Sequence, residues 1–114
     1  MKKPAMYFEQ MKDSRVRCSL CPHQCVIKPE GVGACRVRKN MNGRLYSLNY
    51  GEITAAALDP IEKKPLKMFR PGSRILSIGS FGCNLKCSFC QNWSIAHQVP
   101  HTEEASPEYM VEKA

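Results

Sequence analysis

A chain of 114 residues with 43% hydrophobic residues is long enough to form a small domain and too short to hold a complete large enzyme. Its net charge of +7 would suit an anionic partner, but no run of Lys and Arg is longer than two, which favours an ordinary solvated basic surface. The N-terminus lacks the apolar stretch of a secretory signal and no segment is apolar enough to span a membrane, so we expect a cytoplasmic protein without a membrane partner.

The first segment with a helical signal is residues 4–12, where a proline is tolerated in the first turn of the predicted helix. The next segment, residues 16–35, is dense in Cys, Pro and Gly and has few large apolar residues. Because such a segment cannot build a core of its own, we expect a metal to hold it together.

A β-hairpin is predicted around Asn42-Gly43, since both residues accept the positive φ values of a type I′ turn. Residues 52–60 predict a further short strand. The Pro- and Gly-containing stretch 60–73 then indicates an irregular connection or a domain boundary.

The run RILSIG, residues 74–79, predicts a strand that is buried on both faces, as in a parallel sheet. At the end of the chain, Ser106 is a predicted N-cap with Pro107 at the first helical position. A strand, a loop and the start of a helix make only half of a βαβ unit. We therefore expect the chain to be a fragment or a truncated product.

Seven cysteines fall into two groups. The first group is Cys18, Cys21, Cys25 and Cys35, and the second is Cys83, Cys87 and Cys90. In a reducing compartment, clustered cysteines bind metal more often than they form disulfides.

The second group has the spacing C-x3-C-x2-C and no cysteine follows it. Three thiolates would ligate three irons of a 4Fe-4S cluster and leave the fourth iron open to an exogenous ligand. A zinc site completed by His or Asp, and simple burial of the three thiols, are the alternatives.

These residues, with Phe89 directly before the last cysteine and Gly82 before the first, resemble the radical S-adenosylmethionine superfamily. The resemblance implies that Cys83, Cys87 and Cys90 hold a 4Fe-4S cluster whose open iron binds S-adenosylmethionine. It also implies reductive cleavage of that cofactor to a 5′-deoxyadenosyl radical, an electron donor as partner, and a position for Phe89 against the adenine.

A closer resemblance covers residues 15–114. The segments CSLCPHQCVIKPEGVGACRVRKNMNGRLYSLNYG, ALDPIEKKPLKMFRPGS and SFGCNLKCSFCQNW are similar to the N-terminal part of the AmmeMemoRadiSam system radical S-adenosylmethionine enzymes, relatives of the pyruvate formate-lyase activating enzymes. The resemblance implies an incomplete cofactor pocket, which a second polypeptide would complete, and leaves the substrate unidentified.

The first group of cysteines suits a closed tetrahedral zinc site, because four protein thiolates leave no open position. A second iron-sulfur cluster and free or redox-active thiols are the alternatives, and His23 is an alternative ligand. Lys86, inside the second group, is a candidate to ease reduction of a cluster through its positive charge.

The predicted fold is α+β. A Cys-rich metal-binding module with a β-hairpin occupies residues 1–70, and the first βα unit of a partial (β/α) radical S-adenosylmethionine barrel occupies residues 71–114. The leading function is the N-terminal portion of such an enzyme, inactive alone and without a nucleic-acid partner. The alternative function is a small basic zinc-binding module that contacts nucleic acid.

Overall fold

The computed structural model describes residues 2–66 and 68–114, and within them the chain forms ten short strands, two 3₁₀ turns and two short α-helices. The strands are β1 (Lys3–Pro4), β2 (Phe8–Gln10), β3 (Val16–Cys18), β4 (Val26–Ile27), β5 (Arg38–Met41), β6 (Arg44–Ser47), β7 (Glu52–Ile53), β8 (Ala55–Pro60), β9 (Arg74–Gly79) and β10 (Glu103–Glu104). The 3₁₀ turns are Lys12–Ser14 and Ile61–Lys63, and the helices are α1 (Trp93–Ala96) and α2 (Pro107–Lys113). None of these helices is long and apolar enough to cross a membrane.

The strands form four small antiparallel sheets. Their strand orders are β1-β6-β5, β2-β3-β4, β7-β10 and β8-β9. Four of the six pairings of these strands join consecutive strands (β2-β3, β3-β4, β5-β6 and β8-β9), whereas β1-β6 and β7-β10 join strands that lie far apart in the chain.

The predicted barrel unit is wrong. Strand β9 lies where the sequence predicted a strand, but it pairs antiparallel with β8 along its whole length, and its residues are only partly buried or exposed. The helix after it, α1, has only four residues. Strand β9 follows β8 in the order of strands and runs back along it, so the two pair with each other instead of joining a parallel sheet. Small sheets with two short helices do not form a (β/α) barrel unit.

The predicted N-terminal helix over residues 4–12 is also wrong. Pro4 pairs with Tyr46 in β6, and Phe8 pairs with Cys18 in β3, so the segment supplies edge strands to two different sheets. Between them Tyr7 has a φ of 60°, which no α-helix accommodates. Pairing with distant strands overrides the weak local preference for helix.

Two local predictions are confirmed. The hairpin forms between β5 and β6, and its turn residues Asn42 and Gly43 have φ values of 52° and 79°, as a type I′ turn requires. Helix α2 begins after Ser106, whose hydroxyl accepts a hydrogen bond from the Tyr109 N–H at 3.1 Å. The predicted division between residues 1–70 and 71–114 stays a prediction.

The core lies in the N-terminal half. Its buried residues are Val16, Cys18, Ile27 and Leu45. Beside them the Asn40 amide is completely buried: it donates to the carbonyl oxygens of Ser14 and Ile27 at 2.8 and 2.9 Å, and it accepts from the Gly43 N–H at 2.9 Å. One side chain thus joins the hairpin to the 3₁₀ turn and to β4.

Asp59 secures the end of β8. Lys63 Nζ and Lys64 Nζ lie 3.0 and 3.3 Å from its two carboxylate oxygens. The nearby Ser77 hydroxyl and then these ammonium groups lower the pKa of Asp59 from 3.8 to about 2. The carboxylate therefore keeps its charge to a lower pH than an ordinary aspartate does.

Replacing Asn40 tests the buried amide. Asn40→Leu leaves two carbonyl groups and one N–H without their partner, so we expect the free energy of unfolding to fall by about 2 to 4 kcal/mol in chemical denaturation. The exposed turn substitution Asn42→Gly is the control and should change it by less than about 1 kcal/mol. Equal effects of the two substitutions would contradict the role given to Asn40.

Acid unfolding tests Asp59. Because its folded-state pKa is depressed, its contribution to stability is complete above pH 3.8 and is lost as the pH falls toward about 2. We expect Asp59→Asn to flatten the dependence of the melting temperature on pH in this window, and Ser77→Ala to flatten it in part. Identical acid profiles for the wild type and Asp59→Asn would rule this contribution out.

Candidate functional site

The second group of cysteines lies on one closed loop. We call residues 82–95 the cysteine loop, because the Gly82 N–H donates to the Ile95 carbonyl at 2.8 Å and so joins its two ends. All three thiols of the loop are free and partly buried. Compact surface loops of this length with adjoining ends are commonly functional.

The start of the loop is firmly anchored. Phe81 is buried, and its carbonyl accepts a hydrogen bond from Asn49 Nδ2 at 2.8 Å. Ser80 Oγ donates to the Glu52 carbonyl at 2.8 Å. The chain therefore enters the cysteine loop from a fixed position, whereas Leu85 and Phe89 within the loop are exposed.

Gly82 brings the loop against the N-terminal half. It has a φ of +99°, and a Cβ built on it would lie 2.5 Å from Cγ1 and 2.9 Å from Cγ2 of Val37. Only glycine accepts both this backbone conformation and this approach. Because Gly82 lies against Val37 and the Cys35 carbonyl, Cys83 lies beside the turn that carries Cys35.

The first group of cysteines surrounds one cavity of about 430 Å³, which we call the four-cysteine cavity. Cys18 ends β3, Cys25 directly precedes β4, and Cys21 lies in the turn between these strands. The Cys18 N–H donates to the Cys25 carbonyl at 2.8 Å and closes this turn. Cys35 reaches the same cavity from the turn before β5.

Two donors point at sulfur atoms of this group. Arg38 is buried, and its Nη1 donates to Cys18 Sγ at 3.2 Å while its Nη2 donates to the Met6 carbonyl at 3.0 Å. The Ala34 N–H donates to Cys25 Sγ at 3.5 Å. Arg38 was not among the site residues predicted from the sequence, although its place three residues after Cys35 indicates a cation near the cysteines.

The cavity also touches the cysteine loop. Cys83 and Asn84 form part of its wall, and His23 Nε2 lies 2.6 Å from the Asn84 carbonyl. His23, predicted as an alternative ligand, thus lines the cavity while one ring nitrogen contacts the loop backbone. The two groups of cysteines, read as separate in the sequence, meet at this wall.

Two of the three cysteines of the second group line different hollows. Cys83 lines the four-cysteine cavity, whereas Cys87 lines a smaller hollow with Lys86, Trp93 and His97. Arg36 also lines this hollow, and its Nη2 is within hydrogen-bonding distance of His97 Nδ1. Across residues 2–66 and 68–114, no three side chains of His, Cys, Asp or Glu are gathered closely enough to form a ready metal site.

Substituting Gly82 tests the contact between the two halves. Gly82→Ala should lower the free energy of unfolding by about 2 to 4 kcal/mol, because the new Cβ meets Val37 and the positive φ is strained. Gly72→Ala is a matched control: Gly72 has a φ of +78°, but its Cβ would have no atom within 4 Å. Gly72→Ala should lower the free energy of unfolding by only about 1 kcal/mol, which is the cost of placing alanine at a positive φ.

Adding Val37→Ala to Gly82→Ala should relieve the clash, so the extra loss in the free energy of unfolding beyond that of Gly72→Ala should disappear. If denaturant titrations give the same loss in the free energy of unfolding for both glycine substitutions, the close approach of the loop to Val37 does not contribute to stability.

Comparison with known proteins finds a relative that aligns with nearly the whole chain. The chain is 43% identical over 116 aligned residues to the uncharacterized protein MJ0808 of Methanocaldococcus jannaschii, and the alignment covers 98% of this chain. The chain spans about a third, 34%, of that relative's length. No protein-family model matches the chain, and no solved structure matches it.

Proposed function

We propose that this chain is the N-terminal part of a radical S-adenosylmethionine enzyme in which Cys83, Cys87 and Cys90 hold a 4Fe-4S cluster. The observation that carries the proposal is the placement of these three thiols, and no fourth cysteine, on the closed cysteine loop. A three-thiolate donor set leaves one iron open for an exogenous ligand.

The donor set fits such a cluster. The three sulfur atoms lie within eight residues, all three thiols are free, and both ends of the loop are fixed by backbone contacts. The segment between these ends contains no strand before α1 begins at Trp93. It can therefore rearrange to bring the sulfur atoms together without breaking a sheet.

Neighbouring side chains support the same proposal. Phe89 is 84% exposed beside Cys90, so its ring is available to an incoming adenine. Lys86 and Arg36 lie in the hollow that contains Cys87 and offer positive charge to a site rich in thiolate. When bound, a cluster of this kind supplies the electron that cleaves S-adenosylmethionine to methionine and a 5′-deoxyadenosyl radical.

In this proposal the chain holds the cluster and supplies one side of the cofactor site. The groups that grip the remainder of S-adenosylmethionine and the substrate come from polypeptide beyond these 114 residues, in the same chain or in a second one. An external electron donor reduces the cluster. The similarity to the AmmeMemoRadiSam system enzymes makes them the subgroup that we propose.

Iron reconstitution tests the proposal. After anaerobic incubation with iron and sulfide, the wild-type chain should show a broad absorbance near about 400 nm and bind about four irons through the loop. The triple substitution Cys83→Ala, Cys87→Ala, Cys90→Ala should reduce the iron content by about four per chain, as measured by elemental analysis.

The substitution Ser88→Ala, at an exposed position of the same loop, is the control and should keep those four irons. If the triple variant binds as much iron as the wild type, the cluster is not held by the cysteine loop and the proposed function fails.

A further inference from the structure

The geometry points to a second metal site: we propose that Cys18, Cys21, Cys25 and Cys35 bind one zinc ion as a closed four-thiolate centre, and that this centre forms the wall against which the cysteine loop packs. The proposal stands on the four-cysteine cavity and does not depend on the presence of a cluster in the loop.

The first support is the convergence of the four cysteines. They come from two separate turns, between β3 and β4 and before β5, yet all four line one cavity of about 430 Å³. Their sulfur atoms are not yet gathered to bonding distances. Zinc binding commonly completes the folding of such a segment, because the ion replaces the core that the segment lacks.

The second support is the set of donors around the sulfur atoms. The N–H groups of Arg38 and Ala34 already point at Cys18 and Cys25, and such outer contacts orient metal-bound thiolates. A zinc ion with four thiolates carries two excess negative charges. The buried Arg38 guanidinium offsets one of them, which explains a cation at this depth beside cysteines.

The third support is the completeness of the ligand set. Four protein thiolates saturate tetrahedral zinc and leave no position for substrate, so the centre is structural. The cysteine loop, with three thiolates, has the opposite property. The first group therefore has the ligand number of a closed structural centre, whereas the second has the ligand number of an open one.

The consequence is a mechanical link between the centres. Val37, two residues after Cys35, contacts Gly82, and His23, between Cys21 and Cys25, contacts the Asn84 carbonyl. Drawing the cysteines around zinc fixes both contact points. Occupancy of the four-cysteine cavity thus fixes the start of the cysteine loop.

Zinc content of the whole 114-residue chain tests the inference. We use the Cys83→Ala, Cys87→Ala, Cys90→Ala background, which removes the loop ligands, and measure metal by mass spectrometry after purification with zinc and after exposure to iron and sulfide. We expect about one zinc per chain and no bound iron. Removal of zinc with a chelator should lower the melting temperature by about 10 °C or more.

Single substitutions locate the ligands. Cys21→Ser and Cys35→Ser, at partly buried positions, should each abolish stoichiometric zinc binding. Cys83 lines the same cavity but is not a proposed ligand, so Cys83→Ser in the otherwise wild-type chain should retain the zinc. Arg38→Met should weaken zinc binding about 10- to 100-fold in competition with a chromophoric chelator. Arg44→Met, an exposed arginine on the neighbouring strand, should leave it unchanged.

Three results would overturn the inference. They are a folded chain with no zinc, an iron-sulfur chromophore in the variant that lacks the three loop cysteines, and retention of zinc by both Cys21→Ser and Cys35→Ser. None of them bears on the proposed function, which depends on the iron lost when the loop cysteines are removed.

Discussion

The buried amide of Asn40 is the interaction on which the N-terminal half depends. Among residues 2–66 and 68–114 few large side chains are buried, and the sheets are too small to stabilise themselves. Asn40 compensates by satisfying two carbonyl groups and one N–H from three different segments. A buried polar group with all its contacts in place fixes one arrangement of these segments, whereas apolar contacts alone would tolerate several.

That arrangement determines where the cysteines lie. Asn40 holds β5 against the end of β4, so the turn before β5 and the turn before β4 face the same space. Cys35 and Cys25 thereby line the same cavity, and Arg38, on the same strand as Asn40, reaches Cys18. The hydrogen bonds of one strand thus place both the candidate ligands and the cation beside them.

The sequence was informative where structure is local. The Asn42-Gly43 turn and the Ser106 cap depend on φ preferences and side-chain donors within a few residues, and both were predicted correctly. The helix over residues 4–12 and the parallel pairing of β9 were wrong, because both depend on which distant strand lies alongside. For the same reason the spacing of the cysteines identified candidate ligands, but it did not reveal that Cys83 borders the other group.

The contact between His23 and Asn84 joins residues 61 positions apart, which has a consequence for the order of events during synthesis. The ribosome completes the four-cysteine half first, and at about 5 to 20 residues per second the cysteine loop emerges several seconds later. The contacts of Asn40 and the core around Leu45 lie within this earlier half, so it can fold before the cysteine loop has been made. The surface around His23 and Val37 that receives the loop is then already in place when Gly82 and Asn84 emerge.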